Sequence, residues 1–368
     1  MKDIIHAWEI PGFINVSKET KGMIKHLLLK KYRSCRKAFR ALKLPERAAY
    51  EFLGKSTSFT RPTKFFILTS GLGISHENAE TWIEEFKDFS RQRKGYRVNF
   101  PFAYTPLVLR SVAHTPGDGY VGSGGQVRWI QKEPKFMVQL LRKLLRRSRR
   151  PSKSQISIPR FLVKINCLKL QITLSELRSW RFVDAIMGFP RRYRVQALLA
   201  LIVDEGNIDT KGNISIRMKE KDLVEAYAKL CDSLDYDRSD VRKIPNNGTF
   251  GRSYLWKSLI RANGIRKLYK DYADALATFG RIGGLWNKDQ KFMERCRTAL
   301  SEKAIKDAGG REMTKAILKL LSEHDALNVY QIRNLVGSSS YGRVYEKVKY
   351  WRKMGVLKRT DHGRYALA

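Results

Sequence analysis

Apolar residues recur at helical spacing through residues 22–90: Met23, Leu27 and Leu28, then Ala38, Phe39 and Leu42, then Ala49, Phe52 and Leu53, then Phe66 to Leu72. A short arm followed by a small all-α unit is the expectation. Ser34 stands where it can cap the helix carrying Ala38 and Phe39, and Pro45 sits where a first helical turn tolerates it. The break between these helices is tight. This spacing suits a helix-turn-helix with residues 46–55 as its recognition helix, although generic three-helix packing gives the same pattern.

From residue 96 to about 305 the pattern changes: short alternating runs at 119–130 and 212–219, divided by Gly and Asn, alternate with amphipathic helices at 135–145 and 221–234. This predicts an α+β region. From about 311 the order becomes two short helices, a longer helix over 340–355, Val356–Arg359, the turn Asp361-His362-Gly363, and Arg364–Leu367. Three helices and a hairpin is the order of a winged helix. Arg343, Lys347, Lys349, Arg352 and Lys353 put charge along its third helix. Winged helices bind nucleic acids or other proteins, and both partners stay open. The expected boundaries are 1–95, 96–190, 191–308 and 309–368.

Charge narrows the function. Against 72 Lys+Arg stand 35 Asp+Glu, a formal net charge of +37, which implies a polyanionic partner and salt-dependent binding. Arg142, Lys143, Arg146, Arg147, Arg149 and Arg150 form a basic run that Pro151 ends; it reads as a phosphate-contacting segment or as a solvated helix end. A hydrophobic fraction of 43% is enough for real cores. The four cysteines and six histidines lack ligand spacing, so neither structural zinc nor a disulfide framework is expected. The first residues carry charges where a signal peptide would be apolar, and no window approaches the roughly 18 apolar residues of a membrane span. A soluble cytoplasmic monomer follows as the expectation.

Two segments share a pattern of apolar helix, acid, glycine and hairpin: Ser111 to Val121 around Asp118-Gly119, and Leu198 to Ile208 around Glu205-Gly206. Each continues into an amphipathic helix. Here the chain resembles the LAGLIDADG homing-endonuclease family in its double-motif, single-chain form, over roughly residues 101–300. The resemblance implies two pseudo-symmetric αββαββα repeats, 96–190 and 191–308, whose strands form a saddle over the DNA major groove. Ala113, Gly117 and Ala200 are small where the two motif helices would cross. The family's catalytic and metal-binding roles fall on Asp118 and Glu205, with Mg²⁺ as the divalent cofactor of phosphodiester cleavage. Arg128, Lys211, Arg217 and Lys219 on the hairpins would meet phosphates and base edges, and Arg343 and Lys347 would do so from the winged helix.

Several residues depart from the family pattern. Pro116 removes a backbone N–H and should end the first motif helix early. His114 and Thr115 stand at apolar positions, and His114 reads better as a satisfied interface residue than as a catalytic one. Asp204 occupies a small-residue position, and Val203 replaces an acid. Asp-Gly and Glu-Gly can also be plain turn chemistry. The leading reading is a Mg²⁺-dependent, site-specific endonuclease of double-stranded DNA. A non-catalytic DNA-binding regulator is its alternative. A third is an RNA-binding maturase or ribosome-associated factor that stacks bases on aromatics such as Tyr120 and Trp129.

Overall fold

The N-terminal arm is held by strand pairing in the computed structural model, which describes residues 4–55, 57–89, 95–122, 126–131, 134–145, 155–209, 213–246, 253–294, 296, 312–338, 341–360 and 363–368. Strand β1 (Ile4–Ile5) pairs with a later strand, and β2 (Phe13–Val16) leads into helix α1 (Lys18–Tyr32). Ser17 caps α1 by accepting a hydrogen bond from the Thr20 N–H at 3.0 Å. Ser34 does the same for Lys37 at the start of α2 (Cys35–Ala41), as its position predicts. Then come α3 (Glu46–Gly54), α4 (Pro62–Ser70) and α5 (His76–Glu80). Phe39, Phe52, Phe65 and Phe66 are buried among them.

This region is not all-α. Strand β3 (Ile83–Lys87) lies between β2 and β4 (Tyr96–Arg97) in an antiparallel sheet, and β5 (Phe102–Ala103) pairs with β1. Phe86 from this sheet packs on Phe161 of the next region, with ring centroids 4.8 Å apart. Residues 1–292 accordingly form one compact unit and residues 293–368 another.

Within the first unit, residues 106–279 run through two successions that both begin helix, strand, strand, helix, followed by one described strand in the first and two in the second, and the whole is α+β. The first has α6 (Pro106–Ala113), β6 (Gly119–Val121), β7 (Val127–Ile130), α7 (Lys135–Leu145), β8 (Gln155–Ile158) and α8 (Arg160–Leu170). After α9 (Trp180–Ile186), the second has α10 (Arg191–Glu205), β9 (Gly206–Ile208), β10 (Ile214–Met218), α11 (Lys221–Ser233), β11 (Arg242–Asn246), β12 (Ser253–Ile260) and α12 (Ala262–Phe279). The described strands form an antiparallel sheet β6-β7-β8 and an antiparallel sheet β9-β10-β12-β11. Helices α6 and α10 pack directly on each other.

Period-two burial explains how each sheet sits. Val127 and Trp129 of β7 point inward, as do Ile214, Ile216 and Met218 of β10, while Arg128 and Arg217 take the outward positions between them. The inward residues of β10 meet the buried face of α11, with Leu223, Val224 and Tyr227, while α7, with Met137, Leu140 and Leu141 buried, packs against α6 and β8.

In the second unit, α13 (Glu312–Glu323), α14 (Val329–Leu335) and α15 (Tyr341–Lys353) precede the hairpin β13 (Leu357–Arg359) and β14 (Tyr365–Leu367). Asn328 and Gln331 cap α14 reciprocally. Leu327 adds a bridge to Tyr365, so a third extended segment joins the hairpin. Ile317, Leu321, Ile332, Val344, Val348 and Leu357 make this unit's own core. No helix among the described residues is long and apolar enough to cross a membrane.

Candidate functional site

Pro116 has the effect its chemistry predicts. Helix α6 stops at Ala113, and residues 114–118 continue as turns, with Thr115 N–H bonded to Val112 O at 2.8 Å. Helix α10, without such a proline, continues through Glu205. Both acids nevertheless occupy the same kind of place, one residue before a strand that starts with glycine. Each glycine lies against its own chain four residues back. A β-carbon on Gly119 would fall 2.3 Å from Thr115 Cα, and one on Gly206 would fall 2.5 Å from Ile202 O. Only glycine permits that close return in either segment.

The small residues singled out in the sequence lie at the packed ends of these helices. Ala113 and Ala200 are buried, and Gly117 abuts Asp204, the residue at its own position in the other segment. Asp204 would be an isolated buried charge there. It is instead bonded to His114 Nδ1 at 3.0 Å and to the Trp129 indole N–H at 3.3 Å. Burial pushes Asp204 well above the usual carboxylate range and His114 well below the usual imidazole range, so both lean towards their neutral forms. His114 also stacks on Trp286, with centroids 4.5 Å apart. His114 is therefore a buried interface residue whose Nδ1 is bonded, while its Nε2 meets no hydrogen-bond partner among the described residues. Trp129 is core and offers no face for base stacking, whereas Tyr120 is exposed.

Asp118 and Glu205 are the half-buried acids of the site. Gln131 donates to the Asp118 carboxylate. Burial, and then the charge of Asp204, push Asp118 up to about 6. Burial, then Asp118, then Asp204 push Glu205 up to about 7. Lys288 opposes these shifts from beside all three acids, and its own ammonium is lowered chiefly by burial. Its Nζ donates to Ile202 O at 2.7 Å and to Gly206 O at 2.6 Å, so it also holds the negative end of α10. The hydroxyl of Tyr227, on α11, is buried near Asp204 and Glu205 and meets no hydrogen-bond partner among the described residues.

Arg110 carries the segment that delivers Lys288. It is fully buried on α6, donates to Gln196 Oε1 at 2.7 Å on α10, and donates to Gly283 O at 3.0 Å and Gly284 O at 2.5 Å. Its guanidinium lies over the Trp286 ring. Sequence reasoning missed both Arg110 and Lys288. An arginine inside an apolar motif helix was a visible signal for Arg110; Lys288 left none, being one lysine among many.

The outward cations differ in placement. Arg217 of β10 stands directly opposite Lys257 of β12, and Lys257 directly opposite Arg242 of β11, so three cations form one row across the sheet. Burial and then these two neighbours lower Lys257. Arg128 is half-buried and donates to Gln126, while Lys219, Arg142 and Lys143 are exposed at the ends of β10 and α7. Arg343 and Lys347 are on α15. Arg146, Arg147, Arg149, Arg150 and Lys211 lie outside the described residues, as does most of the Asp361-His362-Gly363 turn.

As for a metal, no group of three or more His, Cys, Asp or Glu among the described residues converges to hold an ion. Two carboxylates and water or substrate oxygens are a donor set that Mg²⁺ accepts, because it is commonly held by one or two carboxylates plus phosphate. Asp118 and Glu205 fit that requirement in number and in chemistry.

No family model matches the chain, and no curated protein matches it. Among solved structures it is similar to the homing endonuclease I-DmoI in complex with its target DNA, nicked in the coding strand, with manganese. There the identity is 15%, covering 47% of this chain and 97% of that one, with a TM-score of 0.30. It is similar also to mesophilic variants of I-DmoI, at 14% identity over 47% and 96% with a TM-score of 0.28. For I-DmoI in complex with DNA and calcium the values are 16% identity, 47% and 91%, and a TM-score of 0.28.

Proposed function

We propose that this protein binds double-stranded DNA across the outward faces of its two central sheets and cleaves it with Asp118 and Glu205 as the metal-binding acids. The observation that carries the reading is the matched placing of those acids: each ends a motif segment before a glycine, both are half-buried beside Lys288, and the charge of Asp118 helps raise Glu205. Carboxyls held in that way favour a shared cation that relieves their repulsion. The row Arg217–Lys257–Arg242 supports the choice of DNA. Like charges directly across a sheet destabilise the free protein, and a phosphate backbone reverses the sign of that contribution.

In this mechanism Asp118 and Glu205 would hold Mg²⁺ or Mn²⁺, which supplies activation of water and stabilisation of the leaving oxygen. The protein's own residues do the positioning. Gln131 orients the Asp118 carboxylate, Lys288 fixes the end of α10 and lends positive charge, and Gly119 and Gly206 let the strands turn away directly after each acid. The two repeats form the saddle, and the 46–55 helix and the winged helix add contacts outside it.

One observation favours the alternative, a DNA-binding regulator without cleavage. Asp204 is buried, leans towards its neutral form and is hydrogen-bonded to His114 and Trp129 rather than offered to an ion. Incubation with a randomised duplex library and Mg²⁺ or Mn²⁺, with sequencing of ends and of retained fragments, separates the two. Cut ends that disappear in Asp118→Asn and Glu205→Gln, with binding kept or tightened, support the enzyme. Retention without cutting by the unaltered protein sinks it and leaves the regulator.

A further inference from the structure

Tyrosines on the surface of the second unit are not accounted for by its core. Tyr330 of α14 and Tyr341 and Tyr345 of α15 are 60%, 36% and 38% exposed. Tyr330 and Tyr341 lie 4.4 Å apart by ring centroid, and Tyr341 and Tyr345 lie 6.0 Å apart with planes inclined by only 12°. None of the three hydroxyls has a hydrogen bond among the described residues. The core is built from Ile317, Leu321, Ile332, Val344, Val348 and their neighbours, with Trp351 packed against it.

Helical spacing continues this row into charge. Lys349 lies one turn beyond Tyr345 and Arg352 about another turn on, both exposed on the same flank, with Glu346 as the one acid of α15. Aromatic faces beside cations match a ligand whose backbone is anionic and whose bases are open. In duplex DNA the base faces are stacked inside and cannot meet a ring. In a single strand each base has a free face, and stacking on an aromatic ring is tolerant of sequence.

We infer that the row Tyr330, Tyr341, Tyr345, continued by Lys349 and Arg352, is a docking surface for single-stranded nucleic acid. It rests on residues outside the central site and does not depend on cleavage. Its placement on α14 and α15 would let the second unit hold a strand whose bases are unpaired, while the central sheets engage duplex.

The test uses the full-length protein and three probes: a short single-stranded oligonucleotide, the duplex of the same sequence, and inorganic polyphosphate, which has charge but no bases. Tyr341→Leu and Tyr345→Leu should each weaken single-strand binding about tenfold. Tyr341→Phe and Tyr345→Phe should retain it, and polyphosphate binding should not change. Because other surfaces of the chain also bind polyanions, a photoreactive single strand is crosslinked in parallel, with adducts expected on the three tyrosines. Unchanged single-strand affinity in the leucine variants overturns the inference, as do adducts confined to other regions. Equal losses for single strand and duplex also overturn it, since they mean groove contact rather than base stacking. These exposed substitutions leave the core intact, and the outcome is independent of whether Asp118 and Glu205 cut DNA.

Discussion

Gly117 and Asp204 stand at the same place in the two motif segments and face each other so closely that a β-carbon on Gly117 would lie 2.7 Å from that of Asp204. Gly117→Ala is therefore expected to destabilise the protein by about 1–3 kcal/mol through overpacking. Urea unfolding measures it, and an alanine variant as stable as the original would mean that the helix ends are more loosely packed than described.

Asp204 and His114 form a buried pair, so removing one partner should cost more than removing both. His114→Ala takes the imidazole partner from the Asp204 carboxyl, which keeps the Trp129 indole and the Asp118 backbone, and is expected to cost about 1–3 kcal/mol. The double variant His114→Leu with Asp204→Ala returns apolar and small side chains to the two positions and should recover most of that loss. A thermodynamic cycle of His114→Leu, Asp204→Ala and the double variant, by chemical denaturation, checks it; additive losses would show that the two residues act separately.

Lys288→Met should lower stability by about 1–3 kcal/mol, because Ile202 O and Gly206 O lose their donor and three acids lose their cation. A methionine keeps most of the side-chain volume, so the loss would report the polar contacts rather than a cavity. Equal unfolding midpoints for both proteins would contradict this role.

Asp88, at the end of β3, provides a pH signature away from the site. Burial raises its carboxyl to about 6, against the pull of Lys164, Tyr96 and Arg160. The folded protein thus binds the extra proton between about pH 4 and 6, and stability from this group falls as pH rises through that window and is level above it. Asp88→Asn should flatten that slope and stabilise the protein at pH 7. An unchanged slope in denaturation curves taken across the window would exclude the assignment.

Binding to duplex DNA should weaken steeply with salt, tens- to thousands-fold between about 50 and 200 mM, if several phosphates are neutralised. Lys257→Thr should reduce the slope while leaving the free protein as stable or more so, because it breaks the row of like charges between Arg217 and Arg242. Fluorescence anisotropy over a salt series reads both effects.

What could be read from the sequence was local. The acid–glycine pairs at 118–119 and 205–206, the Ser34 cap, the early end of α6 before Pro116 and the strands flanking Gly363 each follow from a few adjacent residues. What could not be read was long-range. Ile83 and Phe86 fit a helical period as well as a strand, and the pairing that decides for β3 comes from Phe13–Val16, far back in the chain. Trp129 reads more readily as core than as a stacking face, but nothing local shows that its indole would donate to Asp204. Lys288 reaches the acids only because a loop after α12 folds back under Arg110.

That loop sets where the first unit can be cut. Arg110 is anchored on Gly283 and Gly284, Trp286 lies against its guanidinium and against His114, and Lys288 closes the end of α10. A truncation after α12 would keep every helix and strand of the two successions yet strip the plug from between the motif helices, leaving Arg110 buried with only Gln196 of its present partners. The shortest fragment able to stand alone must run past Lys288.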